Sequence, residues 1–173
     1  MGVMGQNTGP TPDTATPQAV LKEFGAGFAR VAASYERNAA LREELLQEIS
    51  LAVVTALPSL KDPARLRAFV FRIAHNCAVR HAVRNMRLRR TEGEYAAGAE
   101  KTVPPSGEDS DNRQERLMEA VRSLKLPYRQ VITLLLEGLS YDEIARAAGI
   151  SVSNVGVRIN RAKAELKALL THE

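Results

Sequence analysis

Ser140 and Glu143 stand three residues apart at the head of Ser140-Tyr141-Asp142-Glu143-Ile144-Ala145. That is the spacing of a capping box, in which the serine closes a helix start and the glutamate reaches back to the cap amide. Ile144, Ala145 and Ala148 make a narrow apolar stripe behind it, and Gly149 falls where a short turn needs a left-handed backbone. Ser151 is placed to cap a second helix, in which Val155, Ile159, Ala162 and Leu166 recur at helical spacing. The far side of that helix carries Ser153, Asn154, Val157, Asn160 and Arg161, with Arg158 on its flank. Short polar groups followed by arginines suit hydrogen bonding to base edges first and to phosphates next. The pattern predicts a helix-turn-helix with its second helix in a DNA groove. An ordinary antiparallel helix pair with a glycine corner is the plainer reading, but two caps and a basic second helix together favour DNA.

A second group of residues carries charge rather than shape. From Lys61 to Arg90 there are nine bases (Lys61, Arg65, Arg67, Arg72, Arg80, Arg84, Arg87, Arg89 and Arg90) against one acid, Asp62. Charged helix faces are usually just solvated, yet so one-sided a run repels itself unless a polyanion neutralises it. The net charge of +4 agrees. His75, Cys77 and His81 invite a metal reading, but the i, i+2, i+6 spacing scatters them around a helix and no second cysteine exists. No metal and no cofactor is therefore expected. Glu43 with Glu44, and Asp142 with Glu143, are paired acids at exposed helix starts and faces, where carboxylates complement the helix dipole. With no nucleophile–base pair and no phosphate loop, no catalytic residue is assigned and an enzyme is not expected.

Helices must position all of these groups. The chain has 173 residues, 45% hydrophobic but only 5% aromatic, and lacks tryptophan. That profile suits small helical domains with aliphatic cores. Helical spacing predicts elements at about 18–35, 39–57 and 64–89, then at 113–123, 127–137, 140–148 and 152–170. Pro58 and Pro63 punctuate the first set, and Pro127 opens a helix at a position where its missing amide costs nothing. Gly25 and Gly27 weaken the first helix. Residues 1–16, rich in Gly, Thr and Pro, read as a disordered leader. Residues 91–112 are acidic, with Pro104, Pro105 and Gly107 among them, and read as a flexible linker. The expected fold is all-α: two small helical domains, residues 17–90 and 113–173, joined by that linker. One cysteine, no secretory pattern and no bilayer-length apolar run predict a cytoplasmic protein without membrane insertion.

Both halves together resemble the extracytoplasmic-function group of the sigma-70 family of bacterial sigma factors, over about residues 18–170. Leu124-Lys125-Leu126-Pro127-Tyr128-Arg129-Gln130-Val131 and Glu137-Gly138-Leu139-Ser140-Tyr141-Asp142-Glu143-Ile144-Ala145 are similar to the family's region 4, a helix-turn-helix four-helix domain. Glu44-Leu45-Leu46-Gln47-Glu48-Ile49 is similar to the region 2 segment that grips polymerase. Arg67-Ala68-Phe69-Val70-Phe71-Arg72-Ile73-Ala74-His75-Asn76 is similar to the promoter-melting and −10-reading helix. The resemblance implies a promoter-recognition factor whose partners are the RNA polymerase core, through the clamp helices of its largest subunit, and promoter DNA. It leaves open an anti-sigma factor as a further partner. It implies core binding through Leu45, Gln47, Glu48 and Leu51. It implies −10 recognition and melting through Lys61, Arg65, Arg72, Asn76, Arg80 and Arg84, with Asn76 at a pocket for a flipped base. The −35 element falls to Ser151, Ser153, Asn154, Val157, Arg158 and Arg161. Ser50 stands where the family usually has phenylalanine, Phe69 where it has tryptophan, Arg80 where aspartate is frequent, and Gly156 where a cation is common.

Two other classes remain open to the residues alone. A stand-alone helix-turn-helix regulator, with an amino-terminal dimerisation or sensor domain, would bind duplex DNA without polymerase. A pure interaction module would bind no DNA selectively, and the basic run argues against it.

Overall fold

The computed structural model describes residues 15–92 and 109–171. These form seven α-helices: α1 (Pro17–Tyr35), α2 (Ala39–Ala56), α3 (Leu66–Thr91), α4 (Asp109–Ser123), α5 (Leu126–Leu136), α6 (Tyr141–Ala148) and α7 (Val152–Thr171). Single 3₁₀ turns at Leu57–Ser59 and Pro63–Arg65 carry the chain from α2 to α3. No strand occurs among the described residues, and none of their helices is long and apolar enough to cross a membrane.

Local chemistry sets most boundaries. Thr16 caps α1, its hydroxyl accepting from the Ala19 amide, with Pro17 in the first turn. Asn38 caps α2 through the Leu41 amide. Asp62 accepts from the Ala64 amide and so starts the 3₁₀ turn ahead of α3. Two expectations need correcting at their edges. Ala15 packs against the core and Thr16 is a cap, so the leader cannot extend through residue 16. The 91–112 linker is helical at both ends, because α3 runs to Thr91 and α4 starts at Asp109. The rest of the predicted leader and linker lies outside the described residues.

In the first half, α1, α2 and α3 pack around Phe24, Phe28 and Phe71, whose ring centroids lie 5.7–6.4 Å apart. Leu45, Ile49, Val53, Val70 and Ala74 fill the remaining space. In the second half, α4, α5 and α7 bury Val121, Leu124, Ile132 and Ala162. The halves are not independent, however. One apolar cluster runs from Val20, Phe28 and Phe71 through Val131 and Leu134 to Ile144, Val155 and Ile159.

A polar clasp reinforces that junction. Arg30 donates from Nε and a terminal nitrogen to the two carboxylate oxygens of Glu137, both at 2.9 Å. The Glu137 carboxylate is almost wholly buried. Arg67 lies over the Phe24 ring, 5.3 Å from its centroid, and donates to the Glu137 carbonyl at 2.9 Å. Gly27 makes the approach possible, since a Cβ there would sit 2.6 Å from Phe71 and 2.9 Å from Glu137 Oε2. Elsewhere along the junction Arg122 donates to the Ala33 carbonyl, and the Ser34 hydroxyl reaches the Met118 sulfur.

Candidate nucleic-acid interface

The helix-turn-helix forms as its residue types require. The Ser140 hydroxyl accepts from the Glu143 amide at 3.2 Å and Glu143 Oε2 accepts from the Ser140 amide at 2.8 Å, completing the capping box. Gly149 closes α6 in the left-handed region, φ +67°. The Ile150 amide then bonds back to the Ala145 carbonyl, the six-to-one bond of a Schellman close. Ser151 caps α7 by accepting from the Asn154 amide. A second positive φ, +83° at Gly138, turns the chain between α5 and the capping box. The signal for it was a glycine between a helix end and a cap serine.

On α7, Val155, Ile159 and Ala162 are buried, while Ser153, Asn154, Val157, Asn160 and Arg161 face solvent and Arg158 is half-buried. The candidate −35 residues therefore lie together on one open face. Ser151 is exposed as well, although its hydroxyl already serves the helix.

The basic residues of the first half divide. Lys61, Arg65, Arg72 and Asn76 are exposed along the loop and first turns of α3. Lys61, Arg65 and Arg72 line one wall of a cleft of about 630 Å³, and the opposite wall is the start of α6, with Ser140, Asp142, Glu143 and Arg146. Asn76 opens into an adjoining cleft whose far side is Gln130, Ala147 and Ala148. Arg80 and Arg84 point instead toward α2, 3.5 and 3.7 Å from the two Glu48 oxygens. Those pairs are exposed and long, so each contributes well under about 1 kcal/mol and gives way readily to a phosphate. Arg67 departs from the run, since the clasp holds it.

Gln47 and Leu51 lie open on α2, Leu51 with 69% of its surface exposed. Leu45 is 1% exposed and cannot present itself to a partner. Its place in the polymerase-facing set is corrected to core, because it sits on the α2 stripe with Ile49 and Val53. Ser50 is half-buried and bonds back to the Leu46 carbonyl, so its hydroxyl is satisfied within the helix.

The histidines are separated. His81 Nε2 lies 2.7 Å from Glu36 Oε2, which also accepts from Asn85. Burial would raise the Glu36 carboxyl, but the His81 contact and the Asn38 amide outweigh it and hold it below the usual range. His75 is buried, and desolvation pushes it down to about 4. Cys77 is buried too, its sulfur 3.4 Å from an Arg80 nitrogen. No cluster among the described residues has the makings of a metal site.

Residues 22–88 match the family described as Sigma-70 region 2, and residues 114–166 match Sigma-70, region 4. The chain is similar to the RNA polymerase sigma factor CarQ of Myxococcus xanthus, 33% identical over 138 residues, or 78% of this chain and 77% of CarQ. It is 34% identical over 140 residues to the extracytoplasmic-function sigma factor ShbA of Streptomyces griseus, covering 73% and 70%. A solved structure of CnrH with the cytosolic domain of CnrY aligns with TM-score 0.62 and 28% identity, over 89% of this chain and 86% of that one. The sigma factor RpoE of Bartonella quintana, solved with the anti-sigma factor NepR, shares the fold at TM-score 0.66 and 21% identity, over 88% and 96%.

Proposed function

The chain belongs to the extracytoplasmic-function group of the sigma-70 family of RNA polymerase sigma factors, and from that premise we propose how its surfaces divide the work of initiation. The α1–α3 half (residues 17–90) binds core polymerase through Gln47, Glu48 and Leu51 and engages the −10 element through Lys61, Arg65, Arg72, Asn76, Arg80 and Arg84. The second half (residues 113–173) reads the −35 element through Ser153, Asn154, Val157 and Arg158, with Arg161 on phosphate. The open polar face of α7, backed by buried Val155 and Ile159, is the observation that carries this reading. No catalytic step belongs to the chain in this scheme; it acts in the cytoplasm by binding polymerase, duplex and melted strand with different affinities. An anti-sigma factor, the kind of partner with which RpoE was solved, is the further partner proposed.

The test is run-off transcription with added core enzyme and co-purification of the full chain with it. Gln47→Ala with Glu48→Lys should abolish co-purification while helicity persists. Undiminished binding by the double variant would remove polymerase contact from this face of α2.

A further inference from the structure

The open face of α7 carries one polar group that the −35 assignment leaves without a task. Val155, Ile159 and Ala162 are buried and fix the inward side of the helix. At about 100° per residue, the direction opposite them falls close to Val157, with Ser153 and Asn160 on one side of it and Arg161 on the other. Asn154 and Arg158 lie further round toward the flank, so Asn160 points outward more squarely than Asn154 does. Val157 is 45% exposed, and Ser153 and Asn160 are exposed with it. Ser153, Gly156, Val157 and Asn160 recur at i, i+3, i+4 and i+7, which keeps them on one strip of helix surface. Gly156 brings no side chain, so the middle of the strip belongs to Val157.

Asn160 does nothing for the fold. Asparagine disfavours a helix interior, where its amide competes for backbone groups, and it is better used as a cap or in a network. Asn38 caps α2 in that way, and Asn85 donates to Glu36. The Asn160 side chain lies midway along the 20-residue α7 and makes no hydrogen bond among the described residues. Its carbonyl oxygen and amide nitrogen are both free. Side by side, that pair matches the N6 amino donor and N7 acceptor of adenine in the major groove. Residues three apart stand about 4.5 Å along a helix, close to the roughly 3.4 Å between base pairs. Val157 and Asn160 are therefore spaced for neighbouring base pairs, and the valine methyls suit a thymine methyl.

We propose that Asn160 is a further specificity-determining residue of the −35 surface, selecting adenine at the base pair next to the one that Val157 meets. The assignment rests on the reading of α7 as the helix in the groove, and the test separates the two.

The full chain with core polymerase is used to retain duplexes from a pool of random sequence, and the retained molecules are sequenced. Parent, Asn160→Ala, Asn160→Arg and Asn154→Ala are run side by side. The parent should give a motif containing an adenine whose enrichment falls at least fivefold with Asn160→Ala, while the other positions keep theirs. Asn160→Arg should prefer guanine at that same position, because a guanidinium pairs bidentately with guanine O6 and N7. A residue that only solvates α7 cannot exchange one base for another. Both substitutions fall at an exposed helix position, so helicity should match the parent. If adenine persists there in either Asn160 variant, or if Asn160→Ala weakens every position alike, the assignment is overturned. Relaxation at a separate position by Asn154→Ala would then still keep α7 in the groove. No change with either alanine variant, or no motif from the parent, removes α7 from the −35 element and Asn160 with it.

Discussion

Asn154 and Arg161 sit seven residues apart on the open face of α7, yet they should act differently. A side-chain amide can pair bidentately with adenine, worth roughly 1–3 kcal/mol of discrimination, whereas an arginine on phosphate carries no sequence information. Asn154→Ala should therefore weaken transcription from a cognate promoter about tenfold and relax preference at one base position. Arg161→Ala should weaken all sequences alike and lower the salt slope by about one unit, as fluorescence anisotropy on matched and scrambled duplexes can show. His75 makes a prediction of another kind. Burial pushes it down to about 4 from its ordinary 6.5, so between those values the unfolded chain binds the extra proton. Stability at that residue is complete above about pH 6.5 and is lost as pH falls toward 4, by on the order of 2–3 kcal/mol. Urea midpoints of parent and His75→Gln should converge over that window. Parallel curves would mean that His75 does not titrate as its burial requires.

At the scale of the helix, α1 holds two glycines with opposite roles. A Cβ on Gly25 would meet nothing within 4 Å, whereas one on Gly27 would lie closer to Phe71 and Glu137 than any Cβ tolerates. Gly25→Ala should gain up to about 1 kcal/mol from helix propensity. Gly27→Ala should lose about 1–3 kcal/mol, because overpacking outweighs the same propensity gain. Thermal unfolding of the two variants side by side measures both signs. On α7, Gly156 is half-buried with Tyr141 at an ordinary 3.8 Å from a Cβ there. Gly156→Lys should thus be accommodated, raising affinity for matched and scrambled −35 duplexes alike through counterion release. Loss of binding to both duplexes would mean that DNA approaches the backbone there.

Over the whole molecule, the shared core sets α6 across the candidate −10 surface. The −35 and −10 elements lie roughly 80 Å apart along a duplex at about 3.4 Å per base pair. The 26-residue α3 spans only about 40 Å. On the proposed division of the −10 and −35 surfaces, promoter engagement is expected to separate the halves, which share one continuous core in this form. Arg30→Ala should promote this, since it leaves the Glu137 carboxylate buried without its bidentate partner, at a cost of about 2–4 kcal/mol. The radius of gyration from solution scattering should rise. An unchanged radius would show that the apolar contacts hold the closed form without the clasp.

The helices, their caps and the exposed face of α7 were legible in the sequence because each depends on neighbours within one or two turns. Ser140 with Glu143, Gly149 before Ser151, and the Val155–Ile159–Ala162 stripe are such local arrangements. Leu45 is instructive, since its helical spacing with Ile49 and Val53 already pointed to core, and only the family resemblance set it on the polymerase-facing side. The docking of the halves had no local signature at all. Glu137 meets Arg30 from 107 residues away, and Gly27 reads as a weak point in a helix until Phe71 and Glu137 fill the space beside it. The Tyr35 hydroxyl and Arg129 Nε likewise lose their access to water only once α1 and α5 are packed. Secondary structure follows from short-range sterics and hydrogen bonding, which a sequence states directly. Contact between distant surfaces depends on shape and on which polar groups find partners, and only the tertiary structure decides that.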